Sequence, residues 1–463
     1  MSLTAGSIEA RDAAALLHPM VNLGVIEDQG ALMIARAQGV YVWDRAGKQY
    51  IEGLAGLWST SLGYGNEELA QAAYDQIKTL SFSHLFNGKS HEPGMLLAEQ
   101  IKAMVPMAAS KVFFGCSGSD ANDTQIKLIW FYNNALGRPQ KKKIIGRTKG
   151  YHGITLAAAS LTGLAPMHTQ WDLPLDGRFL HTDCPHHYRF AEKGESEADF
   201  ATRLAHNLEQ LILQEGPETV AAFIAEPVMA AGGVLLPPST YFEKVQAVLA
   251  KYDVLFIADE VVCGFGRTGN PWGSQTFNIH PDTVTLAKGL TSSYQPLSAV
   301  IIPDKMYAPI LEASRKLGTF GHGYTYSGHP VCAAVALKTL EIYARDKLFD
   351  RAARLAPQFQ ARLHSFADHP LVGEVRGVGL IGALEFVSNK KTKAGFNPAG
   401  SIGTYCFERC HVHGLIPRNV GDGIAFCPPL IITEAQIDEI FEKFARALHD
   451  TLDHVTRAGL LAA

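Results

Sequence analysis

VLFIADEVVCGFGRTG, Val254–Gly269, and TVTLAKGLTSSYQPLSAVII, Thr283–Ile302, are the stretches on which the reading of this chain turns. Val254–Ala258 and Thr283–Ala287 are short, continuous, β-branched apolar runs, the pattern of strands buried on both faces of a parallel sheet. Each ends on one charged residue, Asp259 and Lys288. Ligands of doubly wound sheets sit at the carboxyl ends of the strands, so opposite charges at neighbouring strand ends point into one crevice. Taken alone, an Asp and a Lys so placed would be an ion pair capping the sheet. A lysine set between an apolar strand and Gly289-Leu290-Thr291-Ser292-Ser293 is partly desolvated, however. Desolvation lowers its pKa and makes its amine nucleophilic.

The chain has 463 residues, 47% hydrophobic and 19% charged, the composition of an ordinary globular protein. That length allows about three domains, or one large α/β fold with a smaller companion. A net charge of −4 gives no electrostatic case for binding nucleic acid or an anionic membrane. No apolar run is long enough for a membrane span, and residues 1–17 lack the apolar core of a signal peptide. Seven scattered cysteines with no CxxC pair point to free thiols and a reducing, cytoplasmic setting.

Further motifs surround this core. Ile8–Leu17 reads as a short helix, followed by HPM at His18–Met20. Gly39–Gly53 alternates around a turn at Arg45–Gly47, a hairpin, and leads to Trp58 in AGLW. Asn66 caps an amphipathic helix to Leu80, followed by a loop holding Phe86. Lys111–Tyr132 reads as strand, small-residue turn and helix, with Ser117-Gly118-Ser119 at the helix start. Free N–H groups there bind anions, although the same residues serve as an ordinary N-cap. Tyr151 follows the strand Lys143–Arg147 in GYHG, where an aromatic either stacks on a flat ligand or covers the core.

His181–His187 and Cys406–His413 carry ligand-type side chains but lack the fixed spacing of a closed metal shell, so no metal is expected. Gly264-x-Gly266-x-x-Gly269 has the form of a dinucleotide fingerprint, but Asn270-Pro271-Trp272-Gly273 reads as no helix start, which excludes that role. From about Ser327 helices alternate with short strands, an α+β pattern, and Arg418 falls in a loop between two of them.

ADEVVCGFGRTG followed by TLAKGL, with Asp259 and Lys288 separated by 288 − 259 = 29 positions, resembles the class III pyridoxal-phosphate aminotransferases, the ω-transaminases. Matching motifs run from about His18 to Thr433. The resemblance implies the aspartate-aminotransferase-like fold, fold type I of the pyridoxal-phosphate enzymes. Residues 70–326 would form a large parallel-sheet domain and 327–463 a smaller α+β domain, with 1–69 packed on the latter. It implies a homodimer with shared active sites and leaves a tetramer open.

The family pattern makes Lys288 and Asp259 catalytic, the amine bonding to the cofactor and the carboxylate facing its ring nitrogen. It places Ser117, Gly118, Ser119, Tyr151, Glu226 and Val261 around the cofactor, and Thr325 on the phosphate of the other subunit. It gives Trp58, Phe86 (lent by the neighbour), Ala231 and Arg418 to the substrate, and the segment around His18 to a lid. Three positions depart from the family: Ser59 is often Cys, Asp120 usually Glu, and Ala231 is Glu in ornithine-type relatives. Ala231 leaves the pocket open and its arginine unneutralised, which favours the amine:pyruvate branch. The implied activity is ping-pong transfer of an amino group from an amine or ω-amino acid to a 2-oxo acid, with pyruvate the expected acceptor. A racemase, aminomutase or decarboxylase on the same scaffold, or a silent homologue, remain the alternatives.

Overall fold

The computed structural model describes residues 3–4, 6–175 and 177–461. Its centre is a seven-stranded sheet in the spatial order Lys111–Gly115, Ser298–Ile302, Thr283–Leu286, Leu255–Asp259, Val220–Ala225, Lys143–Arg147, Phe179–Thr182. All strands are parallel except Ser298–Ile302, which runs antiparallel to both neighbours. The central strands are buried along their whole length, as their continuous apolar runs require. The two strands of the opening motif lie side by side in register, Ala258 beside Val284 and Asp259 beside Thr285. The first is displaced by one residue from the expected Val254–Ala258, so Asp259 is itself the last strand residue.

Helices cover both faces. Gly118–Ala135 packs against the strands on one side, and Glu197–Glu215 and Tyr241–Lys251 pack together beside Phe223 and Phe256 in another part of the core. Helix Pro330–Arg345 rests on Glu67–Leu80 and Glu92–Met104. It starts at an N-cap His329, as expected.

Two smaller sheets join distant parts of the chain. Ile34–Gln38, Tyr41–Asp44 and Gln49–Glu52 form an antiparallel ribbon whose last strand pairs in parallel with Leu415–Ile416. Val372–Val378, Ile381–Phe386, Gly423–Phe426 and Arg418–Asn419 form the other, all antiparallel. Helices Leu348–His364, Ser401–Val412 and Glu434–Arg457 bury their apolar faces against these strands in one cluster that includes Phe359, Phe426, Phe441 and Phe444.

Local differences from expectation have local causes. The first helix ends at Ala15 rather than Leu17. Arg418 lies within a two-residue strand, not a loop, because its backbone pairs with Ala425. A single helical turn does begin at Gly273, contrary to the sequence reading, with its first N–H groups held by Glu260. No helix of the described residues is long and apolar enough to cross a membrane.

Candidate active site

Asp259 ends its strand almost fully buried. Its Oδ2 accepts from Asn122 Nδ2 and faces His152 Nδ1, both at 2.9 Å, and its Oδ1 accepts the Val261 N–H at 3.2 Å. Asn122 stands on the sheet-facing side of helix Gly118–Ala135. Its Nδ2 also donates to the His152 carbonyl at 2.7 Å, and its Oδ1 accepts from Thr285 Oγ1 at 2.9 Å. Helix, loop and two strands thus hold one carboxylate in one orientation.

Lys288 follows the next strand and opens a single 3₁₀ turn to Leu290. Its φ of +48° is left-handed, a conformation that costs a non-glycine residue about 1–2 kcal/mol and breaks the strand line at the reactive position. Burial pulls its amine below the ordinary lysine range, against the opposing pull of Asp259 and Glu226. The lowering has the direction and the cause, desolvation, expected from the sequence.

Glu226, also buried, braces two walls. Its Oε1 accepts the Tyr151 N–H at 2.9 Å and its Oε2 the Ala230 N–H at 3.1 Å. Burial raises its pKa, and Asp259 adds to the rise. The buried Arg147 donates to the Glu226 carbonyl at 2.6 Å and fixes the segment.

These groups converge on a cavity of about 550 Å³. Trp58, Gly118, Ser119, Tyr151, Glu226, Ala231, Asp259, Val261, Lys288 and Arg418 line it. Ser117, Phe86 and Thr325 lie outside it. Ser117 is the N-cap, its Oγ accepting from the Asp120 N–H while the Asp120 carboxylate accepts from the Ser117 N–H, a capping box that the shorter acid still closes. Phe86 and Thr325 are exposed, and Phe86 packs on the loop that carries Thr325: a Cβ on Gly323 would lie 2.4 Å from its ring.

Trp58 reaches the wall through a strained turn, with φ of +51°, +65° and +62° at Ala55, Gly56 and Trp58. Arg418 is half-buried, and desolvation lowers its pKa with Tyr151 opposing. Among the described residues no carboxylate forms an ion pair with it. Pro19 and Met20 also line the cavity, where a lid was expected. Sequence reasoning missed the clamp Asn122–His152 and the apolar wall of Leu57, Leu164 and Met167. His152 stands within the quoted GYHG, so the motif contained the signal; nothing in the sequence marked Asn122 apart from other polar helix residues.

The residues fit pyridoxal phosphate. The first N–H groups of helix Gly118–Ala135 have no intrahelical partners and border the cavity at Gly118 and Ser119, which suits a phosphate. Gly118 also lets Val261 approach, since a Cβ there would stand 3.2 Å from its methyl groups. Tyr151 and Val261 supply an aromatic and an apolar side chain for a flat ring. The braced Asp259 suits a protonated ring nitrogen and the Lys288 amine an aldehyde carbon.

The fold and this set of groups define a pyridoxal-phosphate enzyme of the aspartate-aminotransferase-like class. The chain belongs to the class-III aminotransferases, whose family model matches residues 24–448. It is 52% identical over 429 residues to the chloroplastic gamma aminobutyrate transaminase 3 of Solanum lycopersicum, covering 92% of this chain and 82% of that one. The omega transaminase of Pseudomonas jessenii, solved in complex with PMP, superposes with a TM-score of 0.96 at 53% identity, over 97% of this chain and 99% of that one. A thermostable omega transaminase engineered for asymmetric synthesis of enantiopure bulky amines, with a tryptophan, a phenylalanine and an arginine replaced, gives the same TM-score and identity over 97% and 100%. The protein is thus a pyridoxal-phosphate-dependent aminotransferase, an enzyme that moves amino groups between small amines and oxo acids.

Proposed function

We propose that this aminotransferase takes the amino group from an amine or ω-amino acid and delivers it to a small 2-oxo acid, pyruvate, by a ping-pong sequence. One observation carries the reading: Arg418 is a desolvated guanidinium with no carboxylate partner among the described residues, set in an otherwise largely apolar pocket with Trp58 and Ala231. Such an arginine offers a planar fork to a substrate carboxylate. The apolar remainder accepts an amine that has none.

Bound pyridoxal phosphate would supply the aldehyde carbon that carries the amino group from donor to acceptor and a ring that draws off electrons. Lys288 Nζ is the base placed to take the proton from the substrate carbon and return it to the aldehyde-derived carbon on the other side of the transferred nitrogen, a role suited to an amine whose burial favours the neutral form. Asp259, held by Asn122 and His152, keeps the ring nitrogen protonated. Gly118 and Ser119 would hold the phosphate through backbone N–H groups at the helix start. Trp58, Leu57 and Met20 give the cavity an apolar lining. The replaced tryptophan, phenylalanine and arginine of the engineered relative are the residue types that Trp58, Phe86 and Arg418 provide here, which supports their substrate roles.

The active unit is a homodimer. Phe86 and Thr325 are exposed on two loops that pack against each other away from this chain's own cavity, the placement expected of residues lent to a neighbouring copy. Seven free thiols agree with a reducing, cytoplasmic setting.

Assaying alanine formation from pyruvate and 1-phenylethylamine tests the reading. Removing a charged hydrogen-bond partner costs about 1.5–3 kcal/mol, so Arg418→Leu should raise the KM for pyruvate about 10- to 100-fold. The amine half-reaction should remain near its wild-type rate. An unchanged KM for pyruvate contradicts the role given to Arg418.

A further inference from the structure

A buried cluster of charge stands beside the active site, outside the groups assigned above. His186 Nε2 lies 2.7 Å from Glu374 Oε2 and 3.9 Å from Glu385 Oε2. Arg376 Nη1 donates to both carboxylates, at 3.0 Å for Glu385, and Arg189 Nε donates to Glu385 Oε1. His186 and Arg376 are buried, 4% and 9% exposed. One nitrogen and two carboxylate oxygens within 4.8 Å of one another have the form of a metal site. Two guanidiniums already engage these carboxylates, and their charge repels a cation. Two carboxylates against two guanidiniums leave the cluster neutral when His186 is neutral.

What the cluster grips is a wall of the cavity. Arg376 Nε donates to the Gly233 carbonyl at 2.9 Å. Gly233 ends the tight turn Ala230–Gly233, closed at its base by the bridge of Met229 and Leu235. Ala230 and Ala231 of that turn line the cavity. The turn has little room: a Cβ on Gly232 would stand 2.5 Å from the Lys149 carbonyl, and Gly233 has φ +118°, which excludes a side chain. Glu226 holds one end through the Ala230 N–H, and Arg376 holds the other.

We propose that Arg376 is a specificity-determining positioning residue, a guanidinium fixed by Glu374 and Glu385 that sets the Ala230–Ala231 wall through the Gly233 carbonyl and so limits the size of the amine accepted. This rests on the amine:pyruvate reading above. Arginine is required because one planar fork serves two carboxylates and a carbonyl at once, which the single ammonium of lysine does not do in the same geometry.

Wild type, Arg376→Lys and Arg189→Lys are compared with pyruvate and two donors, 2-butylamine and the bulkier 1-phenylethylamine, with melting temperature recorded for each. Lysine keeps the charge balance of the cluster. Arg376→Lys should shift the ratio of kcat/KM values at least about fivefold toward the bulkier amine, mainly through KM, as expected when a pocket wall gives way by a carbon or two. Arg189→Lys, whose parent contacts Glu385 and the Lys393 carbonyl but not the wall, should leave the ratio at its wild-type value. Should Arg376→Lys not fold, Glu374→Gln keeps the guanidinium, removes one anchor, and should shift the ratio in the same direction. An unchanged ratio in the folded Arg376 variant, or an equal shift in the Arg189 variant, overturns the proposal while leaving the transaminase reading intact. A wild-type enzyme that transfers nothing from either donor sinks that reading, and the proposal with it, before any variant is compared.

Discussion

Glu52 shows how much of the site rests on single buried groups. It is 5% exposed, and its Oε1 accepts the Leu54 N–H at 3.0 Å beneath the strained turn that presents Trp58. Burial pushes its pKa from 4.5 up to about 7. A folded-state pKa above the unfolded value means that the fold prefers the protonated acid. The contribution is complete below pH 4.5 and is lost as pH rises through about 7. Glutamine does not titrate, so the stability of wild type relative to Glu52→Gln should fall across that window, by about 3 kcal/mol at most for a shift of this size. Denaturant melts of both proteins between those limits measure it; a difference independent of pH would place the proton elsewhere. At this scale the sequence was legible where a residue broke a pattern. Asp259 and Lys288 stood out as single charges closing apolar strands. Asn122 and Glu52 did not, because a polar residue in a helix or a short strand looks solvated until its tertiary partners are known.

Among the elements, helix Gly118–Ala135 ties capping to cofactor binding. Ser117 satisfies the Asp120 N–H, and Asp120 in turn accepts from the N–H groups of Cys116 and Ser117 and from Ser298 Oγ, which moors the helix start to the antiparallel strand. Ser117→Ala should cost about 1 kcal/mol of stability. It should also weaken pyridoxal-phosphate retention, because Gly118 and Ser119 carry the N–H groups offered to the phosphate; dialysis followed by cofactor quantification tests this. Full retention would mean that these N–H groups do not hold the phosphate. Helices with strong caps were readable to the residue: the helix expected from the Asn66 cap to Leu80 is observed as Glu67–Leu80, the Asn66 side chain accepting the Leu69 N–H. Short strands were not. The strand Ile34–Gln38 went unread and Arg418 was read as loop, since two to five residues carry little periodicity and their pairing partners lie far away in sequence.

For the whole molecule, the prediction concerns assembly. Light scattering should give a particle of at least twice the 50.2 kDa chain at catalytic concentrations. Phe86→Ala and Lys288→Ala chains, each impaired alone, should recover activity when co-assembled, because one of the two mixed sites then holds an intact lysine and an intact lent phenylalanine. A fully active monomer would remove the reason for placing Phe86 and Thr325 on a neighbour's site. Fold class was legible at this scale because the Asp259 and Lys288 motifs mark a known family. The joining of Gln49–Glu52 to Leu415–Ile416 in one sheet was not, since no local pattern records a parallel pair so far apart.

The visible absorption of the purified protein loaded with pyridoxal phosphate is the most direct test of the role given to Lys288. The band should bleach on addition of 1-phenylethylamine and return on addition of pyruvate, and Lys288→Ala should fail to complete that cycle. A wild-type band that no amine bleaches, or a Lys288→Ala protein that cycles as wild type does, would contradict it.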